Sequence, residues 1–418
     1  MLIELAELGP PAEVALTLTQ GRMLAGSGVV TARPSPFLAD RWEVAAAGKV
    51  GAVRVGNLEI HIRAKLPVAR LMFLAGYAEK GAAWRADDVS VAQEDDLVPA
   101  LAHALWRRTD YAISQGLLPG YVVVEETSPV LRGRLLESDQ LHRHLGRAFP
   151  LEIRHDEFTV DIAENKILRT ACERMLAVPR VDEHAQRMLR RLLREFSDVT
   201  PLARNSHIPE WQPTRLNTRY QAALRLAELV LRATSVEHGP GGVAVTGFLL
   251  DMPLVFEEFV TVALREALES ANGGQVVGQD RDWFLDEAKR ISLRPDVVWY
   301  RRGAPAAVAD TKYKAESPAG YPNADIYQML AYCTALKLPC GHLIYAKGAG
   351  EAVRHEIRET GISVLGHAVD LDSDPADLLD QVRDIAGALA ETAPSARCLR
   401  RPIHNFLSMQ LVRGKREL

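Results

Sequence analysis

The stretch LRPDVVWYRRGAPAAVADTKYK, residues 293–314, limits the possible folds more than any other part of the chain. Two apolar runs are joined by a short Arg-Arg-Gly-Ala-Pro turn, so they are expected to pair as antiparallel strands. Residues two apart in a strand share a face, which points Asp310 and Lys312 the same way and Thr311 away. Asp296 begins the first run and Asp310 ends the second, so a hairpin brings those two ends together. Charged groups at the exits of a core hairpin admit two readings: ordinary strand-end charges, or a metal-dependent nuclease site.

The flanking segments bear on that choice. Upstream, DMPLVFEEFVTVALREALES reads as a helix with Asp251 at the N-cap and Pro253 in the first turn. Phe256, Phe259, Val260 and Leu264 mark its buried face, and Glu257 lies beside that face. A glutamate on a surface helix is usually a solubiliser, so Glu257 alone carries little weight. QVVGQD is a further strand. Downstream, YPNADIYQMLAYCTALK is a helix on which Asp325, Gln328 and Tyr332 share one face, and the strand GHLIYAKG follows. Two carboxylates at one point repel unless a cation sits between them, and oxygen ligands favour Mg²⁺ or Mn²⁺. A lysine beside them can orient or help deprotonate an attacking water, or stabilise transition-state charge. The amide and phenol of Gln328 and Tyr332 suit holding a phosphate or a substrate strand.

The rest of the chain narrows the function classes. With 418 residues, 47% hydrophobic and 25% charged, it has room for two or three soluble domains. No apolar run reaches membrane-spanning length, and the N-terminus is acidic where a signal peptide would be basic, so a cytoplasmic location away from membranes is expected. Cys172, Cys333, Cys340 and Cys398 form no CxxC pair and read as structural thiols. His142 and His144 lack a third ligand at useful spacing and read as a solvated face. The glycines of VEHGPGGVAVTG lack the Lys-Ser/Thr ending of a P-loop, so no nucleotide motor is visible. A net charge of −4 is not the footprint of a protein gripping DNA unaided. The basic C-terminal stretch RCLRRPIHNFLSMQLVRGKREL could follow a phosphate backbone or simply aid solubility, and a partner could supply much of the nucleic-acid contact.

Periodicity divides the chain in three. Residues 1–160 are β-rich, with GAVRVGNLEIHIRAKL alternating around a Gly-Asn turn, then helical spacing in PVARLMFLAGYA and again over 94–115. Residues 161–240 are helical, with three segments of 3.6-residue apolar period. VEHGPGGVAVTG is the best linker candidate, and 241–418 alternates strands and helices. The expected fold class is therefore α/β and multidomain.

The C-terminal order is helix with Glu, strand with Asp, strand with Asp-x-Lys, helix with Gln-xxx-Tyr, strand. It resembles the PD-(D/E)xK nuclease core, a mixed sheet flanked by helices. Over most of its length the chain resembles the McrC family, the nuclease subunit of McrBC-type modification-dependent restriction systems. The resemblance rests on LEIHIRAKLPVARLMFLAGYA, GLLPGYVVVEETSPVLRGRLL, FTVDIAENKILRTA, TRYQAALRLAELVL, DMPLVFEEFV, LRPDVVWY, DTKYK and DIYQMLAYC. Ala64 and Pro253 depart from it, standing where proline and asparagine would be expected. The resemblance implies that Asp296, Asp310 and Lys312 are the catalytic triplet, with Glu257, Asp296 and Asp310 about the metal. Gln328 and Tyr332 match the Gln-xxx-Tyr element of RecB-like nucleases and would position substrate. It further implies an N-terminal region that engages a hexameric AAA+ GTPase, McrB, and stimulates it, with GTP and recognition of the modified base belonging to that partner. The substrate would be double-stranded DNA carrying a 5-methylcytosine-type modification. In LRGR, Arg132 and Arg134 would touch the partner or a nucleotide, or be solvated loop residues. Two other functions fit the residues: a non-catalytic bridging module that activates an AAA+ NTPase, and a RecB-like exonuclease acting on free ends.

Overall fold

The computed structural model describes residues 1–394 except 39, 82–95, 146, 204–205, 240–242, 314–322 and 347–352. Cys398 and the basic C-terminal stretch lie outside the described residues. The chain divides into two compact units, Met1–Val255 and Phe256–Leu418.

The first unit opens with β1 (Leu2–Ala6), β2 (Ala12–Ala15), α1 (Leu18–Gly26), β3 (Thr31–Pro34), β4 (Arg41–Ala45), β5 (Lys49–Val55), β6 (Leu58–Arg63) and α2 (Val68–Lys80). It continues with α3 (Leu97–Ile113), β7 (Gly120–Ser128), β8 (Arg134–Leu135), α4 (Glu137–His144), β9 (Leu151–Thr159), α5 (Ala163–Leu176), α6 (Glu183–Glu195), α7 (Gln221–Ala233), β10 (Thr234–Gly239) and β11 (Val243–Asp251). The Gly-Asn turn forms as expected: Val55 pairs with Leu58, and Gly56 takes φ +58. Five strands make a sheet in the order β1-β6-β5-β11-β10, and two smaller sheets run β2-β4-β3 and β7-β9-β8. Ile3, Leu24, Trp42, Val53 and Ile60 share one core. Apolar stripes on α3, α5, α6 and α7 meet in a helical layer that buries Leu105, Leu168, Leu192 and Leu224.

The segment read as a linker is largely sheet. β10 and β11 pair antiparallel from Thr234↔Phe248 to Gly239↔Val243, and β11 continues onto β5. A Cβ on Gly247 would sit 2.3 Å from the Ala52 carbonyl oxygen, so that glycine serves close strand approach.

The second unit follows from α8 (Met252–Asn272), which begins in the first, through β12 (Gln275–Gly278), β13 (Val297–Arg301), β14 (Ala304–Lys312), α9 (Asn323–Leu336), β15 (Cys340–Ala346), β16 (Val353–Glu356), β17 (Ser363–Val369) and α10 (Pro375–Thr392). Its sheet runs β12-β13-β14-β15-β17-β16. β14-β15 and β15-β17 are parallel and the other pairs antiparallel. Leu343 and Tyr345 of β15 pack with Met329, Tyr332 and Cys333 of α9. His342 instead bonds Thr392 of α10, so the two helices cover opposite faces. The segment AKRISLRPDVVWY, residues 288–300, reads as strand throughout, yet β13 begins only at Val297. The Asp286 carboxylate accepts from the Arg290 and Ile291 N–H groups and Lys289 takes φ +54, which makes 286–291 a turn.

Among the described residues no helix is long and apolar enough to cross a membrane. Cys172, Cys333 and Cys340 are free and buried, as structural thiols would be. His144 is not simply solvated: its Nε2 lies 2.9 Å from Oε1 of the buried Glu152.

Candidate active site

The β13-β14 hairpin turns through Arg302 and Gly303, both at positive φ, and its register runs from Arg301↔Ala304 to Val297↔Ala309. One step further, Asp296 stands level with Asp310, as the sequence implied. Asp310 is 1% exposed, and the Lys312 ammonium is paired with its Oδ2. From Lys312 a continuous hydrogen-bonded path enters α9. Lys312 Nζ donates to Gln328 Oε1 at 2.9 Å, Gln328 Nε2 to Tyr332 Oη at 2.7 Å, and Tyr332 Oη to the Arg294 carbonyl at 3.0 Å. The helix face carrying Asp325, Gln328 and Tyr332 is therefore turned to the strand ends. Asp325 is buried and accepts from Tyr345 Oη at 3.3 Å.

Thr311, expected to point away, reaches Asp296. Its N–H and its hydroxyl donate to Asp296 Oδ2 at 2.7 and 2.8 Å. Asp296 immediately precedes β13, and its carboxylate reaches residue 311 across the hairpin end. Glu257 is half-buried on α8 and accepts from Gln279 Nε2 at 2.5 Å. Gln279 Oε1 in turn accepts from Arg294, and its backbone N–H donates to the Asp296 carbonyl at 2.9 Å. Thr311, Gln279 and Arg294 were not singled out in the sequence. Polar residues in a strand and a loop carry no periodic signal, and only the fold shows what they touch.

Electrostatics mark Asp310 as the exceptional group. Burial, then the charge of Asp296, push it up to about 7 against the pull of Lys312. Glu257 is also raised, first by burial, with Gln279 opposing and Asp296 adding to the rise. Burial and the Asp310 charge push the Tyr332 phenol up to about 12, so it keeps its proton and remains a donor.

No three His, Cys, Asp or Glu side chains among the described residues gather as a ready metal cluster. Each acidic candidate has an internal partner: Asp296 has Thr311, Asp310 has Lys312, and Glu257 has Gln279. The donors nevertheless suit a hard cation. Asp310 Oδ2 is buried with the Lys312 ammonium beside it, and burial together with the facing Asp296 charge raises the proton affinity of Asp310, a cost that a cation would reverse. Mg²⁺ commonly takes only one or two carboxylates and completes its shell with water and phosphate oxygens.

Arg132 and Arg134 lie elsewhere, exposed on the first unit where β7 leads into β8. The β7-β9-β8 sheet, α4 and the segments joining them also expose Tyr121, Phe158, Leu131, Leu141, Leu145 and Phe149.

None of the curated proteins matches the chain. Among solved structures it is similar to a refined half-complex from a tetradecameric assembly of Thermococcus gammatolerans McrB AAA+ hexamers with bound McrC. Identity is 18% and TM-score 0.58, covering 93% of this chain and 100% of that one, a likeness of fold. The cryo-EM structure of the Thermococcus gammatolerans McrBC complex also matches, at 18% identity over 64% of this chain and 88% of that one, with a TM-score of 0.40, too low to bear on the fold. The sequence model of the McrBC 5-methylcytosine restriction system component matches residues 44–346. That match takes in the β5-β6 hairpin, the helical layer and every candidate residue of the site, and the chain belongs to this family of restriction-system components.

Proposed function

We propose that the chain is the Mg²⁺- or Mn²⁺-dependent DNA endonuclease subunit of a McrBC-like complex, acting on double-stranded DNA with 5-methylcytosine-type modification. The mixed sheet with α8, α9 and α10 would be its PD-(D/E)xK core. The observation that carries this reading is the Asp310–Lys312 pair on β14, level with Asp296 and bonded through Gln328 to Tyr332 on α9.

Asp296 and Asp310 would hold the metal, with Glu257 as a further acidic group. Bound there, the metal supplies a Lewis acid for the phosphate and lowers the pKa of an attacking water. Lys312 brings a positive charge to where a phosphoryl oxygen gains negative charge during displacement. Gln328 fixes the Lys312 ammonium, and Tyr332 fixes Gln328, so the cation is preorganised before substrate arrives. Thr311 holds one oxygen of Asp296 and so sets the carboxylate's rotation.

The partner would be an AAA+ GTPase hexamer of the McrB kind, which binds the GTP. We assign residues 1–160 to that contact and 161–240 to a helical connector. The exposed apolar residues of β7, β9 and α4 support a docking role, with Arg132 and Arg134 at its edge. The setting would be the cytoplasm.

The test is cleavage of a 5-methylcytosine-containing plasmid by the full chain with Mg²⁺, GTP and the AAA+ partner. Lys312→Ala and Asp296→Ala should each lower the rate by on the order of a hundredfold or more. Undiminished cutting by both variants would refute the assignment.

A further inference from the structure

Gln279 touches two of the acidic candidates at once, and neither family membership nor the proposed chemistry gives it a role. Its side-chain amide donates to Glu257 Oε1, and its backbone N–H donates to the Asp296 carbonyl. Its own amide oxygen is held by Arg294, whose carbonyl receives the Tyr332 hydroxyl. Gln279 thus closes a path from Glu257 on α8, through Arg294, to the Tyr332–Gln328–Lys312 relay. It does so at φ +49, a left-handed conformation that glycine adopts freely and glutamine does not. A side chain kept where the backbone favours its absence needs a reason, and its contacts supply one: without the amide, Glu257 could rotate about its own side-chain torsions.

We propose that Gln279 is a positioning residue that fixes the rotation of Glu257 beside Asp296, so that Glu257 supports a divalent cation held by Asp296 and Asp310. This inference rests on the nuclease reading of the site. Arg294 acts one step back, holding the amide so that its N–H₂ faces Glu257.

The experiment is Mn²⁺ binding to the full chain by titration calorimetry, with thermal unfolding of each variant as a control. Gln279→Gly removes the amide, keeps the backbone N–H and suits the left-handed backbone. Its unfolding midpoint should be unchanged or higher, while Mn²⁺ affinity falls about tenfold, as for other residues that orient ligands from behind. Gln279→Asn tolerates the same backbone but is one methylene shorter, and should lose affinity similarly. Glu257→Gln should lose affinity too, and Glu257→Gln with Gln279→Gly should be no worse than Glu257→Gln alone, because the glutamine acts through the glutamate. Unchanged affinity in both Gln279 variants, or additive losses in the double variant, would overturn the role of Gln279. Asp310→Asn separates this from failure of the site itself: if it leaves Mn²⁺ affinity intact, the metal-site reading falls and the inference falls with it.

Discussion

Asp310 shows what the fold does to a single residue. Its folded pKa of about 7 lies above the ordinary carboxylate value, chiefly through burial and next through Asp296. The folded state therefore binds more protons than the unfolded state between pH 4 and 7, and metal-free stability falls as pH rises through that window. Asp310→Asn should flatten this slope and raise the unfolding free energy near neutral pH by on the order of a few kcal/mol. Denaturant unfolding without metal at several pH values would show it. Divalent cation should stabilise the wild type more at pH 8 than at pH 5, since binding competes with the proton. Asp310, Lys312, Gln328 and Tyr332 were legible because strand and helix periods fix which residues share a face. Thr311, Gln279 and Arg294 were not, because their partners come from other elements and a local period cannot name them.

At the scale of elements, the site depends on how closely α9 lies against β15. A Cβ on Gly341 would meet Met329 Sδ at 2.4 Å and Cys333 Sγ at 2.6 Å. Gly341→Val should therefore displace the helix that carries Gln328 and Tyr332. We expect about 1–3 kcal/mol of lost stability, and a cleavage defect from a residue that touches neither substrate nor metal. Across the sheet, His342 and His367 stack 2.9 Å apart, nitrogen to nitrogen, with His342 also bonded to Thr392. Burial pushes His342 down to about 3, helped by its neighbour, and His367 down to about 4. The unfolded chain takes up these protons first, near pH 6.5, so the neutral pair's stability is fully present above that pH and is lost as pH falls toward 4 and 3. His367→Gln should make the acid limb of the stability curve shallower, opposite in sign to the effect of Asp310→Asn. Helices α2, α3 and α5 to α9 and the two hairpins were legible from apolar spacing, whereas α1, α4 and α10 were not singled out. The paired strands β10 and β11 were not, because glycines that permit close strand approach look, in one dimension, like those of a linker.

For the whole molecule, the proposed function assigns a separate task to each of the two units. The second unit holds the charged site and the first exposes Arg132, Arg134 and the apolar residues of β7, β9 and α4. Arg132→Ala with Arg134→Ala should leave thermal stability within about 0.5 kcal/mol of wild type, as expected for exposed residues. The same pair should lower the partner's GTP turnover, a docking defect read without any DNA. Family membership was legible from motifs spread along the chain, whereas the exposed apolar residues were not, because they come together only when β7, β8 and β9 fold. The most direct measurement follows plasmid cleavage and GTP turnover in one reaction, with the assembled complex carrying either wild-type chain or Asp310→Asn. The prediction is that cleavage falls by on the order of a thousandfold while GTP turnover is unchanged. Full cleavage by the Asp310→Asn complex would contradict the placing of catalysis at this hairpin.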